Sequence, residues 1–427
     1  MKVKLTNEGI RTDYGANLLR ARGIQDIDKF LKPDESCLQS WEDISGIGLG
    51  VHEIDLLAPD ARIGLVVDCD VDGFTSASII YQYLMRHSTD YQITPYIHDG
   101  KAHGLEEHWQ DIADKRYDLV IVPDAGTNDS WYADEIQTRI LVIDHHPYEG
   151  DSAPSHWMTL INNQLSPHYH NKNLSGAGMA YQFCRALDTK FGHNWADDYI
   201  DLAALGVCAD MMSGLEVENQ YLWRRGFTEV RNGLIWALAR KQAYSITGKT
   251  DASDDDIIGA LNPMSVAFYI VPLINAMIRV GAQSEKDELF QAFTNPYLLV
   301  PSTKRGAKGE TVYIASEVAR KCTNARTHQN KALDDAVALA EQKIYKHDLL
   351  SNKVLFIRLD ETDKFPSELN GLLAMKLSQR FRHPTMVGRL GPDGYIKGSI
   401  RGLSNCELTS FKDFLTHSNL FQYVQGR

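Results

Sequence analysis

The chain has 427 residues, of which 43% are hydrophobic and 23% charged, a composition typical of a globular protein with two or three domains. Its net charge of −12 excludes a protein whose whole surface attracts nucleic acid, although a local basic groove would still bind it. The six cysteines form no C-x-x-C pair, which favours reduced thiols and a cytoplasmic location. No apolar run is expected to reach the ~18 residues of a membrane span.

Residues 1–60 have the pattern of short helices on a polar N-terminal extension. Residues 63–67 then form an apolar run rich in β-branched side chains, which predicts a buried parallel strand. Asp68, Asp70 and Asp72 follow it directly, before an apolar pattern at helical spacing. Open α/β sheets bind their ligands at such strand-to-helix loops. Three carboxylates this close together repel one another unless a cation neutralises them, and oxygen ligands favour Mg²⁺ or Mn²⁺.

Two other interpretations of this acidic stretch stay open at this point. A calcium loop of the EF-hand type also begins D-x-D-x-D-G, but it needs a glutamate at its twelfth position, where this chain has Ile79. The flank before the stretch is also a strand rather than a helix. The remaining interpretation is an acidic turn that binds no ion.

Three more strands, separated by helical patterns, are predicted at residues 93–97, 119–123 and 140–143. Strands that alternate with helices indicate an α/β fold with a doubly wound parallel sheet. The second of these three strands ends in Asp124, and the third ends in Asp144, His145 and His146. Alone, either histidine would more simply be a surface or helix-capping residue. Because the carboxyl ends of parallel strands share one edge, we expect these side chains to assemble a metal site with the acids after residue 67.

The next stretch of the chain adds two candidate residues. Gly176 lies in a glycine-rich segment that enters a helix, where its amide would face a phosphate or simply allow close helix packing. A mostly buried helix over residues 199–209 leads to a further acid, Asp210. The acidic run at 251–256 predicts a solvated loop.

Residues 257–351 are largely helical in pattern and predict a connecting segment. This segment contains a cluster of basic residues at Lys304, Arg305, Lys308, Arg320, Lys321, Arg326 and Lys331. The cluster indicates either a functional surface or a solvated helix face. Beyond residue 351, a second, smaller α/β domain is predicted from strands and a helix at 353–357, 369–381, 385–388 and 395–402. Residues 376–401 carry six basic residues and one acid, Asp393, a local charge that suits a polyanion.

These motifs, in this order, resemble the DHH phosphoesterase superfamily and, within it, the RecJ-like single-strand-specific exonucleases. The stretch that contains Asp68, Asp70 and Asp72 is similar to the family's first motif, and residues 124–126 are similar to its second. Residues 144–146 match the motif that names the family, and residues 205–210 resemble its fourth motif. Further similar stretches lie at 19–24, 174–178 and 275–279, and residues 398–401 resemble the phosphate-contacting segment of the associated DHHA1 domain. The resemblance spans nearly the whole chain.

The resemblance implies four parts: an N-terminal extension (1–60), a DHH catalytic domain (61–256), a helical connector (257–351) and a DHHA1-like substrate-binding domain (352–427). It also implies two divalent cations, Mn²⁺ or Mg²⁺, about 3.5–4 Å apart. Asp124 would bridge them, Asp70 would hold one, and the other would be held by Asp72, His145 and Asp210. Asp68 or a water would complete the shell of the first ion, because Val66 stands where many relatives have a histidine.

The resemblance assigns roles to the other candidate residues as well. His146 would contact the scissile phosphate, and Asp144 would orient a histidine. Phosphates of the strand would be bound by Asn275, Arg279, Ser399 and Arg401, with Gly176 and His103 near the strand.

We therefore expect a cytoplasmic, monomeric enzyme of DNA repair and recombination that degrades single-stranded DNA from its 5′ end by a two-metal mechanism. A single-strand-binding protein or other replication and repair proteins would be its partners, and no membrane is expected. One alternative is a phosphodiesterase for short oligonucleotides or cyclic dinucleotides. Another is a non-catalytic DHH scaffold of a replication complex, although such relatives lose the motif acids that this chain keeps.

The end of the chain departs from the family pattern. The sequence stops at Gly426-Arg427, where family members carry a glycine-histidine motif and further strands. We expect a C-terminally short DHHA1-like domain that holds its strand weakly.

Overall fold

The computed structural model describes residues 14–100, 102–150, 153–360, 363, 365–391, 394–403, 411–418 and 420–424. The chain divides into two compact units, Met1–Thr323 and Asn324–Arg427. The four-part division at residues 60, 256 and 351 stays a prediction. Asp393 and the chain end at Gly426-Arg427 lie outside the described residues.

A five-stranded parallel sheet forms the core of the first unit, in the order β2-β1-β3-β4-β5. Its strands are β1 (Arg62–Val67), β2 (Gln92–Ile97), β3 (Leu119–Pro123), β4 (Ile140–Asp144) and β5 (Met158–Asn162). After β1 the chain first adds β2 on one side and then adds β3 on the other. The carboxyl ends of β1 and β3 therefore flank the point at which the strand order reverses, where ligands bind in folds of this topology.

Helices cover both faces of this sheet, as the apolar sequences of β3 and β4 require. The helices in this part of the chain are α1 (Tyr14–Ala21), α2 (Ile27–Leu31), α3 (Ile47–Asp55), α4 (Val71–His87), α5 (Trp109–Lys115), α6 (Ser130–Ile136), α7 (Gly176–Phe191) and α8 (Ile200–Ala209). Val142 of β4 packs in a buried cluster with Ile112 of α5 and Ile136 of α6. The neighbouring Leu141 faces α3 and α7, because successive strand residues point to opposite faces. The predicted doubly wound α/β fold is confirmed.

The rest of the first unit is mostly helical, as predicted. Its elements are α9 (Val217–Thr228), α10 (Gly233–Lys241), α11 (Ala243–Thr247), α12 (Asp254–Ala260), α13 (Pro263–Ser265), a π-helical turn (Val266–Ile270), α14 (Val271–Val280), α15 (Gln283–Thr294), β6 (Leu299–Pro301) and β7 (Thr311–Tyr313). β6 and β7 pair as an antiparallel ribbon.

The continuous helical segment Pro263–Val280 has the length and mean hydropathy, 1.5, of a membrane-spanning helix. The expectation that no segment would meet this criterion is wrong. Buried helices of globular proteins pass the same test, and 44% of this segment is buried inside the protein.

The second unit contains a three-stranded sheet in the order β10-β9-β8. α16 (Ile314–Lys346) begins in the first unit and continues into the second, followed by β8 (Leu355–Leu359), α17 (Asn370–Phe381), β9 (Thr385–Leu390), β10 (Ile396–Arg401) and α18 (Phe411–His417). β8 and β9 are parallel, whereas β9 and β10 are antiparallel. α17 packs on β9 and β10, which gives the predicted smaller α/β unit.

Three local expectations need correction. The acidic run at 251–256 is only partly a loop, because Ser253 caps α12 in a capping box with Asp256. The sequence analysis missed β5, since its run is short and is interrupted by Thr159. The first strand of the second unit begins at Leu355 rather than at residue 353.

Candidate metal centre

Acids and histidines from distant parts of the sequence meet at the carboxyl edge of the parallel sheet. Asp68 follows β1, Asp124 follows β3, and Asp144 is the last residue of β4. Asp210 caps the carboxyl end of α8. The side chains that follow these strands therefore lie together, as expected, because parallel strands bring their carboxyl ends to one edge.

The three acids after β1 have different local positions. Asp68 is buried. Asp70 is the N-cap of α4, where its side chain accepts a hydrogen bond from the amide of Gly73 at 3.0 Å. Asp72 lies in the first turn of that helix and is buried. Aspartates at a helix N-terminus are favoured by the unpaired amides there.

The amino end of α7 holds Asp72 in place. Oδ1 of Asp72 accepts hydrogen bonds from the Ser175 hydroxyl (2.8 Å) and the Ala177 amide (3.0 Å). Oδ2 accepts one from the Gly176 amide at 2.7 Å. This amide therefore binds a protein carboxylate where the sequence analysis placed a phosphate. A Cβ on Gly176 would lie 2.3 Å from Oδ1 of Asp124, so the glycine permits the close packing that was the alternative interpretation.

Asp124 occupies the centre of the acidic group. It has a left-handed backbone conformation, with φ of 67°, which aspartate tolerates better than most residues. Its amide donates to the carbonyl of Ile143 at 2.8 Å, which ties the end of β3 to β4. Oδ1 of its side chain is buried, and Nε2 of His145 lies 3.2 Å from it.

His145 faces three of these carboxylates. Its Nε2 lies 3.2 Å from Oδ1 of Asp124, 3.6 Å from Oδ2 of Asp210 and 4.0 Å from Oδ2 of Asp72. Ligand atoms of Asp72, His145 and Asp210 therefore form one compact group. A second compact group consists of Asp68, Asp70 and Asp124.

Burial and mutual repulsion make this cluster electrostatically unfavourable by itself. Burial, with repulsion from Asp68, raises the pKa of Asp70. Burial, together with Asp210 and Asp70, raises the pKa of Asp72 to about 7. Burial and the neighbouring aspartates raise the pKa of Asp124 well above its usual range. Such a cluster stays ionised at neutral pH only if cations neutralise it.

The donor set fits hard divalent cations. The ligand atoms are mostly carboxylate oxygens with one imidazole, which suits Mg²⁺ and Mn²⁺. Asp124 contributes a ligand atom beside both compact groups, since its carboxylate belongs to the group of Asp68 and Asp70 and its Oδ1 lies 3.2 Å from Nε2 of His145. Such a buried acceptor is costly unless something binds it.

The hydrogen bonds of Asp144 orient the neighbouring His146. Its Oδ1 accepts from the amide of His145 at 2.7 Å and lies 2.8 Å from Nδ1 of His146, while Oδ2 accepts from the amide of Thr127 at 3.0 Å. Burial alone would raise the pKa of Asp144, but these contacts, chiefly with His146, hold it below its usual range. The contact at Nδ1 fixes the orientation of the His146 ring.

His103 comes close to the first acid of the cluster. Its Nδ1 lies 2.8 Å from Oδ2 of Asp68, and this contact raises the pKa of His103 to about 11. Asp129 holds the same loop by accepting a hydrogen bond from the amide of Leu105 at 2.8 Å. Gly104 has φ of 58°, and a Cβ there would lie 2.1 Å from Oδ2 of Asp129. The loop thus requires glycine to bring His103 to the site.

Sequence reasoning missed several polar residues of this edge. His98 directly follows β2, with Nε2 3.9 Å from Oδ1 of Asp68. Asn162 ends β5 and donates to the carbonyl of His146 at 2.9 Å. The strand-end rule that located Asp124 would have found both residues if it had been applied to every strand. Val66, where many relatives have a histidine, is buried in the apolar cluster on the α5 and α6 face.

Asn275 and Arg279 are four residues apart on α14, and both are half-buried. α14 packs against α4, the helix whose first turn carries Asp72. The assignment of Asn275 and Arg279 to substrate binding stays a prediction.

Ser399 and Arg401 belong to the second unit, on β10. Both lie near the amino end of α17, since a Cβ on Gly371 would be 2.9 Å from an Arg401 guanidinium nitrogen and 3.6 Å from Oγ of Ser399. An arginine, a hydroxyl and a helix amino end together favour an anion. The sequence analysis missed Gly371, although a glycine at a helix start is a known signal for close approach.

The comparisons with known proteins agree with this geometry. Residues 62–207 match the family described as "DHH family, N-terminal domain". Over 419 residues the chain is 34% identical to YorK of Bacillus subtilis (strain 168), a protein named provisionally as an SPbeta prophage-derived single-strand DNA-specific exonuclease. That alignment covers 96% of this chain and 69% of YorK.

More distant relatives carry the name RecJ. The chain is 24% identical over 411 residues to the single-stranded-DNA-specific exonuclease RecJ of Escherichia coli (strain K12), covering 92% of this chain and 66% of that protein. RecJ from Thermus thermophilus, solved in complex with Mn²⁺, shares the fold with a TM-score of 0.69 at 20% identity. The match covers 93% of this chain and 53% of the Thermus chain, so this chain spans about half the length of that protein.

Proposed function

This chain belongs to the RecJ-like family of single-strand-specific exonucleases, which is built on the DHH domain, and we propose that it hydrolyses phosphodiester bonds of single-stranded DNA. The names of YorK and of Escherichia coli RecJ support this substrate. Digestion from the 5′ end with release of mononucleotides is the finer part of the proposal, and it rests on the family resemblance.

The arrangement of two ligand groups around Asp124 carries the proposal. We assign one divalent cation, Mn²⁺ or Mg²⁺, to Asp68, Asp70 and Asp124, and a second to the group of Asp72, His145 and Asp210. The Mn²⁺ complex of Thermus RecJ supports this choice of ion. When bound, such a pair supplies a water nucleophile at neutral pH and offsets the charge that develops on the attacking and leaving oxygens.

The protein's own side chains would then position the phosphate and move protons. Asp144 fixes the Nδ1 side of His146, so that Nε2 donates a hydrogen bond to a non-bridging oxygen of the scissile phosphate. This donor stabilises negative charge as it grows in the transition state. His103, whose Nδ1 lies 2.8 Å from Oδ2 of Asp68, would contact the strand beside the scissile phosphate.

A preference for single strands follows from burial of the ligands. Asp72, Asp124 and His145 are all buried. The nucleic-acid backbone must therefore bend so that one phosphodiester enters the site while the adjacent nucleotides stay outside. A duplex stays straight over a site of this size, whereas an unpaired strand bends and turns its bases outward.

Digestion of end-labelled strands tests the proposal. Single strands labelled at the 5′ or the 3′ end, and blunt duplexes of the same sequence, would be incubated with Mn²⁺, with Mg²⁺ or with chelator. We expect labelled mononucleotide first from the 5′-labelled strand, slow cleavage of duplex and no cleavage in chelator. Equal rates on duplex and single strand, or mononucleotide first from the 3′ label, would contradict it.

We also propose the setting in which this activity operates. A cytoplasmic, monomeric enzyme of DNA repair or recombination would meet single strands already covered by a single-strand-binding protein. Sedimentation of the purified protein, alone and with a single-strand-binding protein, would test the monomeric state and the interaction with this partner.

A further inference from the structure

A short β-ribbon in the first unit carries an exposed cluster of positive charge. We call residues 297–313, which contain β6, β7 and the loop between them, the basic hairpin. The loop carries Lys304, Arg305 and Lys308, and all three residues are exposed. Within the part of the chain that the structure describes, no ion pair involves these three cations.

This separates the loop from the other positive charges nearby in sequence. Arg320 forms an ion pair with Glu317, and Lys321 forms one with Glu288. Their charge is already neutralised by the protein. Three cations without an ion pair to any described residue thus lie within residues 304–308 of the hairpin loop, beside one exposed acid, Glu310, in a protein whose net charge is −12.

The base of the loop is held rigidly. Glu317 of α16 is buried, and it accepts hydrogen bonds from the amide of Thr303 at 2.9 Å and from the hydroxyl of Ser302 at 3.3 Å. Burial alone would raise the pKa of Glu317, but hydrogen bonds from Arg320 and Thr303 lower it to about 2. The loop also closes on itself, since the amide of Ser302 donates to the carbonyl of Glu310 at 2.7 Å. A pinned loop loses less conformational entropy when it binds a ligand.

Exposed rings accompany the charge. Tyr297 and Tyr313 are 61% and 52% exposed, and their ring centroids lie 5.7 Å apart at 86°. Leu299, which pairs with Tyr313 across the ribbon, is 61% exposed as well. Three large apolar side chains in solvent on one small ribbon mark an interaction surface.

We propose that the basic hairpin is a further binding surface for single-stranded nucleic acid, in which the three loop cations bind phosphates and the tyrosine pair stacks on bases. Cations beside exposed aromatic rings are what sequence-independent single-strand binding uses. An acidic protein segment would satisfy the cations but would offer the tyrosines no flat partner. That the strand is the substrate DNA rests on the proposed function, whereas the binding surface itself does not.

Binding measurements on an inactive protein test the charge contribution. In an Asp124→Asn background with chelator, the Lys304→Ala, Arg305→Ala and Lys308→Ala changes are combined, and affinity for a single strand of about thirty nucleotides is measured over a range of salt. We expect the log–log salt slope to fall by up to about 2, since each lost phosphate contact removes about 0.7. The charge-matched control combines alanine at the exposed Lys32, Lys331 and Lys353, and it should keep the slope.

A second variant tests stacking. Tyr313→Ala should weaken binding about tenfold without changing the salt slope, and Tyr313→Phe should bind as the parent does. A loop variant with the same affinity and slope as its control would overturn the proposal. Two results together would also overturn it: poly-glutamate competes as well as a DNA strand of equal charge, and Tyr313→Ala has no effect on binding. That pair of results would indicate an acidic protein partner. A wild-type protein that binds strands through the hairpin but never cleaves them would reject the proposed function alone.

Discussion

The edge of the parallel sheet and the β10–α17 surface of the second unit both suit a phosphate, yet they differ in charge and burial. At the sheet edge Asp72 and Asp124 are buried carboxyl groups, while on β10 Arg401 is an exposed positive charge. A buried charge is costly unless it is paired, whereas an exposed one is screened by water and salt. The first region is therefore expected to control chemistry through bound cations, and the second to control affinity.

The largest effect should come from Asp124→Asn. An amide cannot serve as a carboxylate between two cations, so hydrolysis should fall roughly a thousandfold or more, which corresponds to several kcal/mol of barrier. The fold should persist, because asparagine also tolerates a left-handed backbone. Turnover with saturating Mn²⁺ measures the effect, and Asp251→Asn, at an exposed acid, is the control. Retention of a tenth of the activity, a change of only about 1.4 kcal/mol, would refute the assignment of Asp124.

Removal of metal should reveal a contribution of Asp72 to stability that decreases as the pH rises. The carboxyl of Asp72 has a pKa of about 7 when folded and an ordinary value of 3.8, so the folded state binds its proton more tightly. The contribution of Asp72 to stability in chelator should therefore be fully present below about pH 4 and should be lost as the pH rises toward 7. Urea unfolding between about pH 4 and pH 8 measures the trend.

Two controls make this pH dependence specific. Asp72→Asn should remove much of the slope, because its amide does not titrate. Saturating Mn²⁺ should reverse the slope, because cation binding requires ionised ligands. A slope in chelator that Asp72→Asn leaves unchanged would contradict the raised pKa of Asp72.

Asp144→Asn should have a smaller effect on the same reaction. The carboxylate contacts His146 and backbone amides, so its loss should disorient His146 and reduce kcat about 10- to 100-fold. Affinity for Mn²⁺, followed by calorimetry, should change little. A large loss of Mn²⁺ affinity with unaltered kcat at saturation would instead assign Asp144 as a cation ligand.

Most residues at this edge of the sheet could be predicted from the sequence, because each of them follows an apolar strand. Strand ends in a parallel sheet meet, so Asp124 and His145 could be placed together from apolar runs alone. The partners of Asp72 could not be predicted in this way, since the α7 amides that bind it come from about a hundred residues later in the chain. The left-handed conformation of Asp124 and its need for Gly176 also depend on packing, which a local pattern does not contain.

Arg401→Ala should give the smallest effect, and on binding rather than on chemistry. Arg401 is an exposed residue on β10 beside Ser399 and the amino end of α17, and the loss of one phosphate contact should reduce the log–log salt slope by about 0.7. The control is Lys376→Ala, which removes the same charge from a lysine already paired with Asp334 at 2.9 Å. Because screened surface pairs contribute little, the control should bind nearly as the parent does. If Arg401→Ala kept its affinity and slope but lost turnover, Arg401 would belong to the chemistry, and the division of roles between the two regions would be wrong.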